Sequence, residues 1–168
     1  YAGNYHPVTM LSLALNIILF GKGATSFIVV NALIHAANAY LVYVFVSQLI
    51  DLQSNSAILS KKPLIAFFTA LFFGIHPMHV ESVAWISERK DVLYTFFFLL
   101  ACIQYCSALI TKNSKKINLV FLFFMLSFNS NVNSCLKSLG FVSLVFIVIK
   151  SLSISVQGAL LVGLKLIL

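Results

Sequence analysis

The sequence predicts an all-α integral membrane protein, a bundle of helices that crosses the bilayer several times. Of its 168 residues, 61% are hydrophobic and 9% are charged, and the mean hydropathy is +1.02. A soluble domain carries about 25% charged residues, so there is too little charge here to cover a water-exposed surface. The chain also contains long uncharged runs, and a helix needs about 20 apolar residues to cross the hydrocarbon core. Together they exclude an ordinary soluble enzyme and a disordered chain.

The net charge of +7 does not indicate a nucleic-acid partner. The eleven Lys and Arg residues are scattered between apolar runs and form no stripe, which is typical of the loops of a membrane protein. The cysteines, Cys102, Cys106 and Cys135, lack CxxC spacing, so neither a disulfide framework nor a zinc site is predicted. Because the chain begins at Tyr1 and ends within an apolar run, we interpret it as an internal fragment.

Uncharged stretches mark the predicted helices. Segment 8–20 is thirteen residues long and ends at a Gly-Lys-Gly turn, which favours an interfacial segment over a full span. The predicted spans are about 24–50, 63–78, 92–111 and 117–128. The second is short, so it either continues past Pro77 or stops early in a cavity lined by protein. These segments form a partial membrane module over 1–127, and 128–168 are interpreted as a diverged or disrupted hydrophobic tail.

Lysine and arginine in the loops predict the orientation. The loops 51–62 and 112–116 are separated by two crossings and share one side, with Lys61, Lys62, Lys112, Lys115 and Lys116. The other side has Lys22, Arg89 and Lys90. This bias places the loop 76–91 outside the cytoplasm, in a bacterial periplasm or in the lumen of an ER-type membrane.

The main functional signal is a cluster of ionisable residues in 76–91. This stretch holds three of the four acidic residues, two of the four histidines, the only Trp and the only Arg. Ionisable groups near a membrane are costly and usually mark a site. Read as one helix, the stretch places Glu81, Trp85 and Glu88 on one face. The residues predicted to line or orient a cleft are His76, His79, Glu81, Trp85, Glu88 and Asp91. The alternative is a solvated loop in which Trp85 anchors the interface.

Two further patterns bear on ligands. His76, His79 and Glu81 are metal ligands by type, but Pro77 interrupts the helix geometry that such sites use. No metal site or cofactor is therefore assigned, and a divalent metal stays open. Within the span 24–50 a polar stripe comprises Asn31, His35 and Asn38, which share one helix face. Hydrogen bonds between helices are favoured for this stripe over direct contact with a ligand.

Residues 76–94, which read HPMHVESVAWISERKDVLY, resemble the signature of a polytopic membrane family. Its members pair a C-type glycosyltransferase fold with C-terminal tetratricopeptide repeats, and they include the eukaryotic transmembrane and tetratricopeptide-repeat O-mannosyltransferases and bacterial relatives. The segment Tyr5-His6-Pro7-Val8-Thr9 and the polar stripe also resemble the family, and the resemblance covers about 1–127. The tail departs from it, since no proline follows Lys137-Ser138 and Lys150 stands near the place of an acidic residue.

The resemblance implies a helical bundle that forms part of a C-type glycosyltransferase fold. It implies an enzyme that passes a sugar from a polyprenyl-phosphate donor to a hydroxyl of a protein or glycan acceptor outside the cytoplasm. Arg89 and Lys90 would bind the donor phosphate. The family's acidic residue in the first external loop would lie before Tyr1, so no catalytic residue is named and the fragment alone is expected to be inactive. The alternatives are a transporter of a lipid-linked or polar solute and an inactive scaffold for tetratricopeptide repeats.

Overall fold

The computed structural model describes residues 6–52, 59–111 and 115–131. In this part of the chain the regular elements are six α-helices: α1 (Pro7–Phe20), α2 (Ala24–Asp51), α3 (Lys62–Ile75), α4 (Val80–Ala84), α5 (Arg89–Thr111) and α6 (Lys115–Ser130). Short 3₁₀ turns, Pro77–His79 and Ile86–Glu88, flank α4. The all-α prediction is confirmed for these residues. Most of the predicted tail 128–168 lies outside them, as do Tyr5 and the middle of the loop 51–62.

Two helices of the described chain are long and apolar enough to cross a membrane: α2, and α5 together with the turn before it. They run side by side in the same direction, because Asn31 near the start of α2 contacts Trp85 and Asn38, two turns later, contacts Val92. Both helices therefore begin at one end of the bundle. We call this end the head of the bundle, and it comprises the starts of α2 and α5 and the segment 76–91.

Helix α3 packs on α2 through small side chains. Ala66, Ala70 and Gly74 recur every four residues along α3, and both alanines are buried. A methyl group placed on Gly74 would lie 3.5 Å from the Cβ of Ala39 in α2. Small residues at this spacing let two backbones approach closely. Helices in lipid commonly associate in this way, because lipid is as apolar as their side chains and provides no hydrophobic driving force between them.

Much of the outer surface of the bundle is apolar. On α3, Phe72 and Ile75 are 65% and 67% exposed, and on α1 Ile18 is 77% exposed. Apolar patches of this kind are rare on soluble monomers and mark contact with lipid or with another protein. Charge lies mainly at the two ends of the bundle. Opposite the head, Lys62 Nζ lies 2.6 Å from Asp51 Oδ1 in an exposed ion pair that joins α2 to α3.

The structure departs from the sequence-based expectations at two points. The predicted helix over 63–78 ends at Ile75, and His76 adopts an extended conformation with φ −64° and ψ 128°. The cause is Pro77, because a residue before proline is disfavoured in the helical region. Reading 76–91 as one helix is also wrong. Trp85 is extended, with φ −96° and ψ 128°, so Glu81 and Glu88 lie in separate elements and share no helix face.

We expect Ala70→Leu to weaken the packing of α3 on α2. Overpacking of a tight contact costs about 1–3 kcal/mol, and Ala70 lies in the buried seam. The unfolding midpoint of the protein in detergent measures the loss. Thr69→Leu places the same side chain on the exposed side of the same turn and should leave the midpoint nearly unchanged. Equal effects of the two substitutions would contradict the small-residue seam.

Candidate functional site

Arg89 is, like Asn31, a fully buried polar residue at the head of the bundle. Its exposed fraction is 0%. The Nε atom donates a hydrogen bond to Asn31 Oδ1 at 2.7 Å, and Nη2 donates to Asn16 Oδ1 at 2.9 Å and to the Phe27 carbonyl at 3.0 Å. A longer bond of 3.4 Å joins Nη1 to the Ser12 carbonyl. The guanidinium carbon lies 5.4 Å from the centroid of the Phe27 ring, within the range of a cation–π contact. One side chain thus joins α1, α2 and α5.

The two asparagines that receive Arg89 also hold other parts of the head. Asn31 Nδ2 donates to the carbonyls of Val83, at 3.3 Å, and Trp85, at 3.2 Å. These bonds fix the extended residue that separates α4 from the next turn. Asn16 Nδ2 donates to Ser26 Oγ at 3.1 Å, which joins α1 to the first turn of α2. The amide oxygens therefore serve the cation while the amide nitrogens secure the backbone around it.

Three histidines gather beside this network. The ring centroid of His79 lies 5.2 Å from His35 of α2 and 6.1 Å from His76, and Phe73 packs on His79 at 4.5 Å. His35 Nε2 lies 3.1 Å from the Gly74 carbonyl, so this nitrogen carries the proton, since a carbonyl can only accept. Burial lowers the pKa of His79 below its ordinary value of 6.5, and the neighbouring His35 and His76 lower it further.

The charged residues of the segment point to different surroundings. Glu88 and Lys90 form a partly exposed ion pair with 3.4 Å between Oε1 and Nζ. Glu81 is exposed and Trp85 is 58% exposed. Asp91 accepts a hydrogen bond from Asn131 Nδ2, which ties the start of α5 to the end of α6. Glu81, Trp85, Glu88 and Lys90 therefore remain accessible at the head, whereas Asp91 is used in joining helices.

An apolar groove runs between α2 and α5 directly below the head. It has a volume of about 260 Å³ and is lined by Val30, Leu33, Ile34, Ala37, Leu93, Phe96 and Phe97. Leu93 follows Arg89 by one helical turn on the same face of α5, and Val30 precedes Asn31. The groove thus begins about one helical turn below the residue that carries the buried cation. An amphiphile with a charged headgroup and an apolar chain matches this arrangement of polar and apolar surface.

Within the described ranges, no group of three or more His, Cys, Asp and Glu residues is arranged to hold a metal ion. The three clustered histidines contact one another through their rings. The described residues therefore supply no ligand set for the divalent metal that the sequence left open.

Comparison with known proteins finds relatives among the protein O-mannosyl-transferases. The chain is 34% identical to protein O-mannosyl-transferase TMTC4 of Homo sapiens over 116 residues, which are 67% of the chain and 16% of the relative. It is 36% identical over 102 residues both to TMTC1 of Mus musculus and to TMTC2 of Homo sapiens, covering 61% of the chain and 10% and 11% of those relatives. The chain is related to the TMTC protein O-mannosyl-transferases. No family model and no solved structure matches it.

The TMTC relationship confirms the family that the 76–94 motif predicts, and the chain spans 10% to 16% of the length of these relatives. The matched residues do not extend to a tetratricopeptide-repeat region. That Arg89 and Lys90 both bind a donor phosphate stays a prediction, but the structure places them differently. Every donor nitrogen of Arg89 faces an oxygen of the protein, whereas the Lys90 side chain is 28% exposed.

The polar stripe on α2 is engaged between helices throughout. Asn31 is 0% and Asn38 1% exposed, and Asn38 Nδ2 donates to the Val92 carbonyl at 3.0 Å. With His35 on Gly74, each member of the stripe bonds the backbone of another element. Sequence reasoning missed Asn16, which binds α1 to the start of α2. Thr9, part of the segment that resembles the family, binds α1 to the end of α6 through its hydroxyl, which donates to the Ser130 carbonyl at 3.1 Å. The available signal for Asn16 was a polar residue within an apolar run.

Arg89→Met should destabilise the bundle strongly. The substitution leaves the side-chain oxygens of Asn31 and Asn16, both buried, without their donor, and each unsatisfied group costs about 1–3 kcal/mol. Arg89→Lys should be intermediate, because an ammonium lacks the planar fork that reaches oxygens on both sides. Unfolding midpoints in detergent measure the series. The matched control is Lys90→Met, whose partly exposed ion pair contributes about 1 kcal/mol or less. A smaller effect at position 89 than at position 90 would refute the structural role.

Stability should fall as the pH drops below 6.5 because of His79. Its pKa is lowered in the folded state from 6.5, so the unfolded chain binds the proton more readily and protonation favours unfolding. The contribution is fully present above pH 6.5 and is lost as the pH falls through the lowered pKa. His79→Phe keeps an aromatic contact with Phe73 and should flatten the dependence of the unfolding midpoint on pH in this window. An identical pH profile in the variant would rule out His79 as the cause.

Proposed function

We propose that this chain forms part of an integral-membrane glycosyltransferase. The enzyme would take a sugar from a polyprenyl-phosphate donor and pass it to a hydroxyl of a protein or glycan acceptor on the non-cytoplasmic face. The observation that carries the proposal is the apolar groove that begins directly below a cationic, carboxylate-bearing head. The kinship with proteins named as protein O-mannosyl-transferases supports this reaction class over other uses of such a site.

The donor has three parts, and the head of the bundle offers a surface for each. The apolar chain fits the groove between α2 and α5. The phosphate meets Lys90, whose Nζ lies at a relaxed 3.4 Å from Glu88 and can turn to an anion. The sugar meets the exposed polar segment, where Glu81 and His79 can bond hydroxyl groups. A cation on the phosphate stabilises the leaving group as the glycosidic bond breaks.

No residue of this chain is assigned as the catalytic base. The segment 76–91 is proposed to lie outside the cytoplasm in a bacterial inner membrane or an ER-type membrane, with the bilayer around α2 and α5. Asn31 and Asn38 are bonded to backbone carbonyls, which supports packing between helices rather than a solute pathway.

Filling the groove should weaken donor binding. Ala37→Phe places a ring among the groove residues, and we expect about tenfold weaker binding of polyprenyl-phosphate mannose, equal to about 1.4 kcal/mol. Trp85 is the only tryptophan of the sequence and lies in the head, so its emission reports the titration in detergent. Ala36→Phe adds the same ring at an exposed position of α2 outside the groove lining and should bind as the parent does.

Transfer itself is tested in membranes from cells that overexpress the intact gene, using labelled polyprenyl-phosphate mannose and a hydroxyl-bearing peptide. Transfer of label above that of control membranes supports the proposed function. If Trp85 shows no response to the donor and no label is transferred, the proposal is wrong.

A further inference from the structure

We infer that Arg89 determines headgroup specificity through its charge, without touching the lipid. Held inside the head of the bundle, the guanidinium would favour an anionic lipid headgroup over a neutral one at the upper end of the groove. The inference rests on the proposed function, because it concerns the lipid that would lie in that groove. It differs from a role in contact, which the enclosed guanidinium does not offer.

The guanidinium of Arg89 donates its hydrogen bonds only to neutral groups. Its four oxygen partners are two side-chain amides and two backbone carbonyls. Between the described residues the recorded ion pairs are Lys62 with Asp51 and Lys90 with Glu88, and neither includes Arg89. The dipoles of the oxygens solvate the cation but leave its net charge in place.

The groove would place a lipid headgroup close to Arg89 along α5. The first residue of the groove on α5, Leu93, lies one turn below Arg89. The start of α5 adds a partial positive charge of the same sign from its backbone dipole. A headgroup whose chain fills the groove is therefore placed near both.

The charge of Arg89 is screened less than the other charges at the head of the bundle. Other charges are present at the head, and Lys90 and Glu88 largely cancel each other in their ion pair. Glu81 and Lys22 are exposed, and water and salt screen exposed charges over about 8 Å at physiological ionic strength. Asp91 is held by Asn131 toward α6. A buried charge is screened much less, so Arg89 acts on the groove more strongly than its accessible neighbours do.

Burying the charge of Arg89 costs free energy. Taking an ion out of water costs several kcal/mol even when its hydrogen bonds are satisfied. Neutral donors could join the same helices, as Asn38 does on Val92. An ionisable residue retained at membrane depth is for that reason a functional candidate.

Asn16→Asp tests the inference, because it cancels the charge with little change in shape. The aspartate keeps an oxygen for Arg89 Nη2, at 2.9 Å in the parent, and the Ser26 hydroxyl can turn to donate to the second oxygen. We expect binding of polyprenyl phosphate to weaken about tenfold, as for one unit charge acting over about 10 Å at an effective dielectric constant near 20. Binding of the uncharged polyprenol should not change. Trp85 emission measures both.

Ser87→Asp is the matched control, since it adds the same charge to an exposed turn of the head. It should change phosphate binding much less, and the small change should vanish in high salt. A second pair of variants separates charge from shape: Arg89→Lys should keep the ratio of phosphate to alcohol affinity and Arg89→Gln should lower it. This ratio is insensitive to a loss of folded protein, which reduces both affinities alike.

The outcomes are distinct. If the parent binds neither ligand, the proposed function fails and the inference fails with it. If the parent binds both but Asn16→Asp keeps the parent's preference for the phosphate, only the inference is overturned. A parallel loss of phosphate and alcohol binding in Asn16→Asp and Arg89→Gln would assign Arg89 a structural role alone and would also overturn it.

Discussion

One buried cation constrains the head of this bundle. A guanidinium away from water must find oxygens for its donors, and here α1 and α2 supply all four recorded partners of Arg89. Because a guanidinium is planar and rigid, those oxygens must lie in fixed directions, which sets the positions of α1 and α2 relative to α5. The extended conformation of Trp85 follows from the same network, since Asn31 accepts from Arg89 and donates to the Trp85 carbonyl.

Below the head a different kind of contact holds the helices together. Lipid is as apolar as a leucine side chain, so burial from lipid gives no hydrophobic gain and close packing has to supply the energy. The seam of Ala66, Ala70 and Gly74 provides it between α3 and α2. Specific direction comes from α2, whose polar stripe bonds a different partner at each step along the helix. Helix α2 is therefore the element against which α3, α5 and the segment 76–91 are placed.

The sequence predicted the helical class and the charged segment, because both follow from composition and from long apolar runs. It also held the signal for the helix end at Ile75, since Pro77 disfavours a helical residue before it. The four-residue spacing of Ala66, Ala70 and Gly74 is a further signal in the sequence, and it indicates the face of α3 that packs on a neighbouring helix. The burial of Arg89 was not predictable, because it depends on oxygens brought by helices 58 to 77 residues away in the chain. The break at Trp85 has the same cause.

The adjacent cations Arg89 and Lys90 show why a motif does not assign equal roles to neighbouring residues. At the start of a helix, successive side chains differ in direction by about 100°, so one faces the bundle while the next faces outward. The bonds of Arg89 are buried and satisfied, and a ligand could take them only by separating α1 from α2. The ion pair of Lys90 is long and partly exposed, so it exchanges at little cost. In the function proposed here, contact with an anion falls to Lys90, and the charge of Arg89 acts on it from within the bundle.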